Sequence, residues 1–364
     1  SPFIMPERLA ASDPTKPITE VIGSGPYRFL ADEFVSGSRV AYRKFEDYTP
    51  RNEPADWAAG GKVAYFERIE WHVMPDTSTA ASALQAGEVD WWEQVHADLL
   101  PVIRRNKNIT INIADPTGYL PVLRFNSTIP PFDKPEARRA ILLAVNQADY
   151  LPAITGNDSE AWKICHSVFP CGTTYGQPSR PDRMGIADIE IAKRALQESG
   201  YAGEKIVILN PSDFPTISPL GVITYDLLKK MGANVELVET DWGTVIARTQ
   251  SREPVSRGGW NIYHTWYTGL NLAFPPQNVA IRGLGNRGWT GWYKSDAMEQ
   301  LNADWLRAAD ESSRAQIAAK MQDLAFTDVP SIFLGQFFMR TAYRNTLSGI
   351  TPGPKPFPWG VRRI

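Results

Sequence analysis

The residues best suited to binding a solute lie in one aromatic-rich segment that follows a pair of glycines. Gly258–Tyr267 places four large aromatic side chains, including Trp260 and Trp266, and one histidine, His264, in eight positions. Aromatic rings with polar tips, next to backbone that glycine leaves exposed, suit a ligand site with apolar walls and a few hydrogen bonds. The same pattern also suits a buried strand whose rings fill a core. Composition alone leaves both readings open.

Residue patterns that would indicate catalysis are weak. The G-x-G-x-x-G stretch at Gly283–Gly288 is followed by Trp289-Thr290-Gly291 and not by the helix start that a dinucleotide site needs. Glu88 and Asp90 are two residues apart, but next to a turn glycine they are more typical of a structural role. No phosphate-binding loop, nucleophile elbow or i, i+4 histidine pair occurs. We therefore expect no enzyme, no cofactor and no metal site.

Composition and charge exclude further classes. The 364 residues carry 38 Lys plus Arg against 40 Asp plus Glu, a net charge of −2, which argues against a polybasic surface for nucleic acid. No apolar run reaches the roughly 18 residues that a membrane-spanning helix needs. The 29 prolines exceed the usual share of about 5% and favour a loop-decorated binding protein. Ser1–Arg8 has no signal-peptide pattern and resembles a loop, so we expect a piece of a longer protein.

The two cysteines, Cys165 and Cys171, lie six positions apart in a loop-like stretch. A close pair with no cysteine left over suggests a disulfide in an oxidising compartment, while two unpaired thiols are the alternative. His166 between them does not complete a zinc site, because a fourth ligand is missing.

Hydrophobic periodicity predicts a β-rich first part and an α/β second part. Residues 20–75 alternate as strands do, and Thr77–Ala86 reads as a helix that ends at Gly87. The pattern changes at about 110–118, the best domain boundary. Beyond it the expected elements are a strand at Tyr119–Phe125, a helix capped by Asp133, a helix capped by Asp188, strands at 205–209 and 234–240, helices at 218–231, 295–309 and 312–326, and a last strand at 331–345. The strand–helix–strand order implies a mostly parallel sheet.

Five segments in this order resemble the family 5 extracellular solute-binding proteins, the oligopeptide-, dipeptide- and nickel-binding components of ABC importers. They are Gly23–Phe29, Ala83–Asp90, Leu123–Asp133 with the following helix, Ala192–Tyr201 and Gly258–Trp260. Each motif is short, but the similarity covers the whole chain.

The resemblance implies an α/β fold of the periplasmic binding protein kind, type II-like, with two lobes, mixed sheets and a hinge. Lobe I would comprise residues 1–115 with 335–364, and it would be partial because family members are longer at the N-terminus. Lobe II would comprise residues 116–334. A chain that passes from lobe I to lobe II and returns is expected to close on its ligand.

The resemblance also implies where the ligand lies, which is between the lobes. The positions expected to contact it are Trp91, Trp92, Gln94, Trp242, Arg257, Gly259, Trp260, Asn261, Tyr263, His264 and Trp266. Peptide-binding relatives place an aspartate shortly after the Gly-Trp pair to hold the peptide's amino group. Tyr263 and His264 occupy that stretch here, which argues against recognition of a free amine.

The implied function is that of the substrate-binding component of an ABC-type importer, which captures a peptide, an opine or a sugar and delivers it to a membrane permease. A monomer in the periplasm, or one anchored outside the cell by a lipid, is expected. A secreted carbohydrate-active hydrolase is one alternative, but it would need two facing carboxylates that the aromatic segments do not supply. A sensor that binds ligand and docks on a receptor is the other.

Overall fold

The structure is a computed structural model that describes residues 5–12, 18, 20–156, 158–177 and 186–364. The first four residues of the opening segment lie outside this description. The chain divides into two compact units, residues 1–116 with 340–364 and residues 117–339, which are called unit 1 and unit 2. The chain therefore crosses between them twice, at Pro116–Thr117 and at Met339–Arg340.

Unit 1 is built from short strands with little helix. Its elements are α1 (Glu7–Ala10), β1 (Tyr27–Phe29), β2 (Arg39–Lys44), β3 (Arg68–His72), α2 (Thr77–Ala86), β4 (Trp91–Val95), α3 (Leu100–Ile103), β5 (Ile109–Ile113) and, after unit 2, β13 (Arg340–Arg344), β14 (Leu347–Ser348) and β15 (Arg362–Arg363). They form three antiparallel sheets, in the orders β1-β2-β3, β4-β13-β5 and β14-β15.

The helix predicted at Thr77–Ala86 is confirmed. Asp76 caps it by accepting a hydrogen bond from the Thr79 backbone N–H, at 2.7 Å. Gly87 ends it in the left-handed conformation, with φ of 82°. Ala83 and Leu84 are buried on its inner face.

Unit 2 is a layered α/β unit. Its elements are β6 (Tyr119–Phe125), α4 (Pro135–Ala144), α5 (Gln147–Thr155), β7 (Trp162–Lys163), α6 (Ile189–Glu198), β8 (Ile206–Pro211), α7 (Ser218–Lys230), β9 (Val235–Thr240), α8 (Trp242–Thr249), β10 (Ile262–Thr268), α9 (Gly269–Leu272), α10 (Asp296–Arg307), α11 (Glu311–Asp328), β11 (Ser331–Phe333) and β12 (Gln336–Phe337). The strands form one sheet in the order β7-β12-β6-β10-β8-β9, and β11 also pairs with β6.

The expectation of a mostly parallel sheet is wrong, because the sheet is mixed. β8 runs parallel to β9 and β10, as its helical crossover α7 requires, while β10, β11 and β12 are antiparallel to β6. Continuous burial is typical of parallel strands, yet β6 is buried at all seven positions although its partners are antiparallel. Helices cover both faces of the sheet, so burial does not reveal strand direction here.

The expected single strand at residues 331–345 is also wrong. It is divided into β11, β12 and β13, and β13 belongs to unit 1. Gly335 separates β11 from β12 with φ of 104°, and a Cβ atom there would lie 2.5 Å from the Leu151 side chain. Runs of apolar residues lie on both sides of this turn, so the hydrophobic pattern alone does not mark it.

Of the two predicted helix caps, one is confirmed and one is wrong. The Asp188 carboxylate accepts from the Ile191 N–H at 2.9 Å and caps α6. The helix α4 begins at Pro135, after Lys134, and no side chain caps it. Proline at the first helical position lacks an N–H that would need a cap, so Asp133 has no capping role.

Two buried arginines hold backbone carbonyl groups in unit 2. The Arg124 guanidinium donates to the carbonyl oxygens of Ala280 and Thr290, each at 2.9 Å. Arg138 donates to the carbonyl of Asp328, at the end of α11, at 2.6 Å. Burial lowers the pKa of Arg138 to about 10. Both arginines belong to segments that carry the family resemblance. Both stabilise the fold by donating hydrogen bonds to backbone carbonyl oxygens.

Cys165 and Cys171 are joined by a disulfide in the structure, with 5.8 Å between the two Cα atoms.

Candidate functional site

Three half-buried aromatic side chains meet at one edge of the sheet in unit 2, and we call them the aromatic rim. Phe214 follows β8, Trp242 follows β9, and Trp266 lies near the end of β10. Because these three strands are parallel, their carboxyl ends lie at the same edge. In open α/β sheets this is the edge at which ligands commonly bind.

The rings of the rim contact one another in a chain. The Phe214 ring centroid is 5.4 Å from that of Trp242 and 6.1 Å from that of Trp266, in edge-to-face geometry. Trp266 rests on the buried rings of Tyr119 and Phe337, at 5.0 and 6.4 Å. Such aromatic pairs contribute about 0.5–1.5 kcal/mol each beyond the area they bury.

Hydrogen bonds fix the rim to the loop after β8. The Trp266 indole N–H donates to Thr216 Oγ1 at 3.0 Å. The Asp213 carboxylate accepts from the Trp242 backbone N–H at 2.8 Å, which ties the start of α8 to the same loop. The rim thus combines half-buried rings with two polar side chains, the exposed Asp213 and the half-buried Thr216.

Several of the expected ligand residues lie in the interior of unit 2 instead. Trp260 and Tyr263 are 0% exposed, with their ring centroids 5.2 Å apart. The Trp260 indole N–H donates to the Thr249 carbonyl at 3.1 Å. The Tyr263 hydroxyl bonds with Thr290 Oγ1 at 3.0 Å and accepts from the Trp289 indole. These contacts make both rings part of the core of unit 2. Their burial disfavours the ligand role predicted for them.

Gly259 and Asn261 have equally specific structural roles. A Cβ atom on Gly259 would lie 1.7 Å from the Glu253 carbonyl oxygen, so glycine is required by close backbone approach. Asn261 is fully buried; its Oδ1 accepts from the Val207 N–H at 2.8 Å and its Nδ2 donates to the Pro130 carbonyl at 2.9 Å. The amide therefore joins β8 to the start of β10.

His264 is buried at the centre of the sheet. Its Nε2 is hydrogen-bonded to Thr224 Oγ1 at 2.8 Å, and this hydroxyl is 3.1 Å from the Tyr150 hydroxyl. Its Nδ1 has no hydrogen-bond partner within the described part of the chain. Burial lowers the pKa of His264 to about 3, so the imidazole is neutral at physiological pH.

The predicted residues on β10 do not form one surface. Residues 261 and 266 are five positions apart on an extended chain, which spans roughly 17 Å at about 3.4 Å per residue. Arg257 lies still further toward the amino end of β10, where its side chain is 71% exposed and paired with Glu253 at 2.9 Å. The structure thus groups Trp242 and Trp266 and separates them from Arg257.

The predicted residues of unit 1 lie on the edge strand β4. The Trp91 indole donates to Thr341 Oγ1 at 2.6 Å, and Trp92 packs against the small core of unit 1. Gln94 is exposed. Burial raises the pKa of the adjacent Glu93 carboxyl, and the positive charge of Lys355 opposes this shift.

Sequence reasoning missed Phe214 and Thr216. They lie in the loop Ser212–Ile217, which has no strand or helix periodicity. The signal that would have found them is positional, because the loop follows β8, a central parallel strand, and leads into α7.

The described residues hold no cluster of three or more His, Cys, Asp or Glu side chains arranged to bind a metal ion. Across the same residues, no helix combines the length and the hydropathy that crossing a membrane would require.

The chain is built from two units joined by two chain crossovers, and its sequence identifies the family to which it belongs. The chain belongs to the bacterial extracellular solute-binding proteins, family 5, whose family model matches residues 2–289. Its class is therefore a binding protein and not an enzyme, and the alternative of a secreted hydrolase is wrong.

Two relatives of known name illustrate the family. The chain is 36% identical over 366 residues to the probable peptide ABC transporter periplasmic-binding protein y4tO of Sinorhizobium fredii, covering 100% of this chain and 68% of that protein. It is 23% identical over 337 residues to the glutathione-binding protein GsiB of Escherichia coli, covering 90% of this chain and 61% of that protein. The chain thus spans about two thirds of the length of these relatives.

Solved structures show the same fold. A periplasmic binding protein DppA of Helicobacter pylori, in complex with the peptide STSA, matches with a TM-score of 0.75 at 22% identity, covering 94% of this chain and 63% of that one. AgaA of A. tumefaciens R10, in complex with agropinic acid, matches with a TM-score of 0.74 at 19% identity, covering 93% and 67%. The resemblance and the fold class expected from the sequence are both confirmed.

Proposed function

We propose that this chain is the solute-capturing part of an ABC-type importer and that it binds a peptide or a chemically related small solute. The solute would be passed to a membrane permease, and the protein would act in the periplasm or attached outside the cell by a lipid. The likeness to y4tO, a probable peptide ABC transporter periplasmic-binding protein that is 36% identical along the whole chain, supports a peptide as the solute. The complex of AgaA with agropinic acid is the reason to test opines as well.

The aromatic rim is the observation that carries this proposal. It combines half-buried rings from three parallel strand ends with polar groups from the loop after β8. Peptides and opines present both apolar side chains and amide or carboxylate groups, and a site for them needs both kinds of contact. Buried residues such as Trp260 offer no exposed ring surface.

The rim therefore replaces the Gly-Trp segment as the proposed binding surface of unit 2. Trp242 and Trp266 remain in the proposed site, and Phe214 and Thr216 join it. In unit 1, Trp91, Trp92 and Gln94 stay proposed contacts, and the lobe limits inferred from the sequence stay part of the proposal. We also expect the protein to be a monomer.

A tryptophan-fluorescence titration tests the proposal. The chain is titrated with separate pools of dipeptides and tripeptides, of opines and of oligosaccharides. We expect a saturable change in emission with a peptide or opine pool. No saturable change with any pool, on protein shown to be folded by circular dichroism, would refute it.

A matched pair of variants tests the site. Trp266→Ala should weaken binding of the active pool at least about tenfold, as expected for a central aromatic anchor. The control is Trp305→Ala, which removes a half-buried tryptophan of α10 whose ring packs on Tyr175 and Phe274. Equal affinity of the two variants would remove Trp266 from the site.

A further inference from the structure

The two places where the chain passes between the units are held, on the unit 2 side, by one short segment. These places are Pro116–Thr117 and Met339–Arg340. The segment is residues 161–171, whose last seven residues are closed into a ring by the Cys165–Cys171 disulfide. The sequence alone gives no reason to connect this disulfide with the crossovers.

Gln336 links the disulfide ring to the first crossover. Its side chain is 0% exposed. Its Oε1 accepts from the Cys171 backbone N–H at 3.0 Å, and its Nε2 donates to the Thr117 carbonyl at 2.7 Å. A buried amide that uses both ends in this way fixes the two backbone segments relative to each other, because freeing either end would leave a buried polar group unpaired.

The second crossover is held by the residues just before the ring. The Phe338 backbone N–H donates to the Ala161 carbonyl at 2.7 Å. The Lys163 ammonium lies 5.4 Å from the centroid of the Phe338 ring and donates to the Cys171 carbonyl at 2.9 Å. One lysine therefore connects the ring to the residue that precedes Met339.

The other cysteine is anchored by a second buried glutamine. Gln147 accepts from the Cys165 N–H at 2.7 Å and donates to the carbonyls of Cys165, at 2.9 Å, and of Phe333, at 3.0 Å. It is 3% exposed. Each cysteine of the disulfide is thus fixed by a glutamine. Gln336 lies in β12, and Gln147 is bonded to Phe333 of β11.

We propose that the disulfide ring and Gln336 form a brace that keeps both crossovers rigid on the unit 2 side. Any bending between the units would then be confined to residues before Thr117 and after Phe338, since hinges concentrate backbone change in a few residues. The brace assigns a role to the disulfide beyond general stability, and it does not depend on which solute is bound.

Hydrogen–deuterium exchange of the full chain tests the brace. The informative amides are those of Phe338 and of Gly269, which donates to the Gly118 carbonyl at 2.6 Å. The amide of Leu123, in the central strand β6, serves as the reference for global unfolding. In Gln336→Met and in the double variant Cys165→Ala/Cys171→Ala, we expect the exchange of both informative amides to accelerate at least about tenfold more than that of Leu123, whose own change reports the loss of global stability.

Gln322→Met is the matched control. Gln322 is another buried glutamine of the same region, 2% exposed, and it accepts from Ser167 Oγ at 2.6 Å and from the Val168 N–H at 2.8 Å, inside the ring. The brace predicts that in this variant the exchange of Phe338 and Gly269 accelerates no more than that of Leu123, to within about twofold. Unchanged exchange in Gln336→Met, an equal effect of Gln322→Met, or acceleration of Leu123 to the same extent would each overturn the proposal.

Discussion

The buried imidazole of His264 should make the protein less stable as the pH falls. Its pKa is about 3 in the folded state because burial disfavours the charged ring, whereas a histidine in the unfolded chain has a pKa near 6.5. The unfolded state therefore binds more protons between these two values. Stability from this residue is fully present above pH 6.5 and is lost as the pH falls toward 3.

The size of the loss follows from the two pKa values. Between pH 7.5 and pH 5.0 the difference in proton binding amounts to about 2 kcal/mol of unfolding free energy, rising to about 4 kcal/mol by pH 3. His264→Gln keeps a hydrogen-bonding side chain next to Thr224 but cannot take up a proton. Its unfolding free energy at pH 7.5 can differ from that of the native protein. Between pH 7.5 and pH 5.0, however, the variant should lose about 2 kcal/mol less unfolding free energy than the native protein does.

Urea unfolding at pH 7.5 and 5.0, followed by circular dichroism, measures this difference. The control is His72→Gln, since the His72 side chain is 42% exposed and lies on the edge strand β3. Between the two pH values this variant should lose as much unfolding free energy as the native protein does. If the native protein and His264→Gln lose the same free energy on acidification, the reasoning from burial is refuted.

Three further predictions concern the fold. Trp260→Ala should lower the unfolding free energy by about 3–5 kcal/mol in urea titrations, as for a buried tryptophan, while Arg257→Ala should change it by less than about 0.5 kcal/mol. Asp188→Ala should cost about 1 kcal/mol through loss of a helix cap, and Asp133→Ala, at a position without a capping contact, should cost less than half as much by the same assay; equal costs would contradict the cap assignment. Arg138→Met should cost at least about 2 kcal/mol in thermal or urea unfolding, because the carbonyls at the end of α11 lose their donor, and a neutral result would show that water replaces the guanidinium.

Local signals in the sequence were sufficient for much of the helical structure. Gly87 ends α2 as the pattern indicates, and Asp188 caps α6. These predictions succeeded because a cap depends on residues three positions apart. The pairing of Cys165 with Cys171 is local in the same way.

Strand direction and strand breaks depend on distant contacts and were not predictable. The seven buried residues of β6 look like a parallel strand, yet the strands beside it arrive from residues 262–268 and 331–337 and run antiparallel. The interruption at Gly335 was not predicted; glycine is needed there for its φ of 104° and for the close approach of Leu151 on α5, and only the second of these depends on a distant contact.

The candidate site was predicted in part, for a related reason. Trp242 and Trp266 were singled out, but so was Trp260, and residue type does not distinguish a ring at a strand end from a ring in the core. That difference depends on which neighbours cover the ring, such as Trp292 and Tyr263 over Trp260. Phe214 needed knowledge of the sheet order, since its loop becomes part of the rim only when β8 lies between β9 and β10.

The most direct test of the account is to observe the tryptophan indole N–H signals while a solute binds. The 12 tryptophans are labelled with nitrogen-15, and their signals are assigned with single Trp→Phe variants. On addition of the peptide or opine pool that binds, the signals of Trp242 and Trp266 should shift most, and that of Trp260 should stay in place. Largest shifts at Trp260, or an unchanged spectrum with every pool, would contradict binding at the aromatic rim.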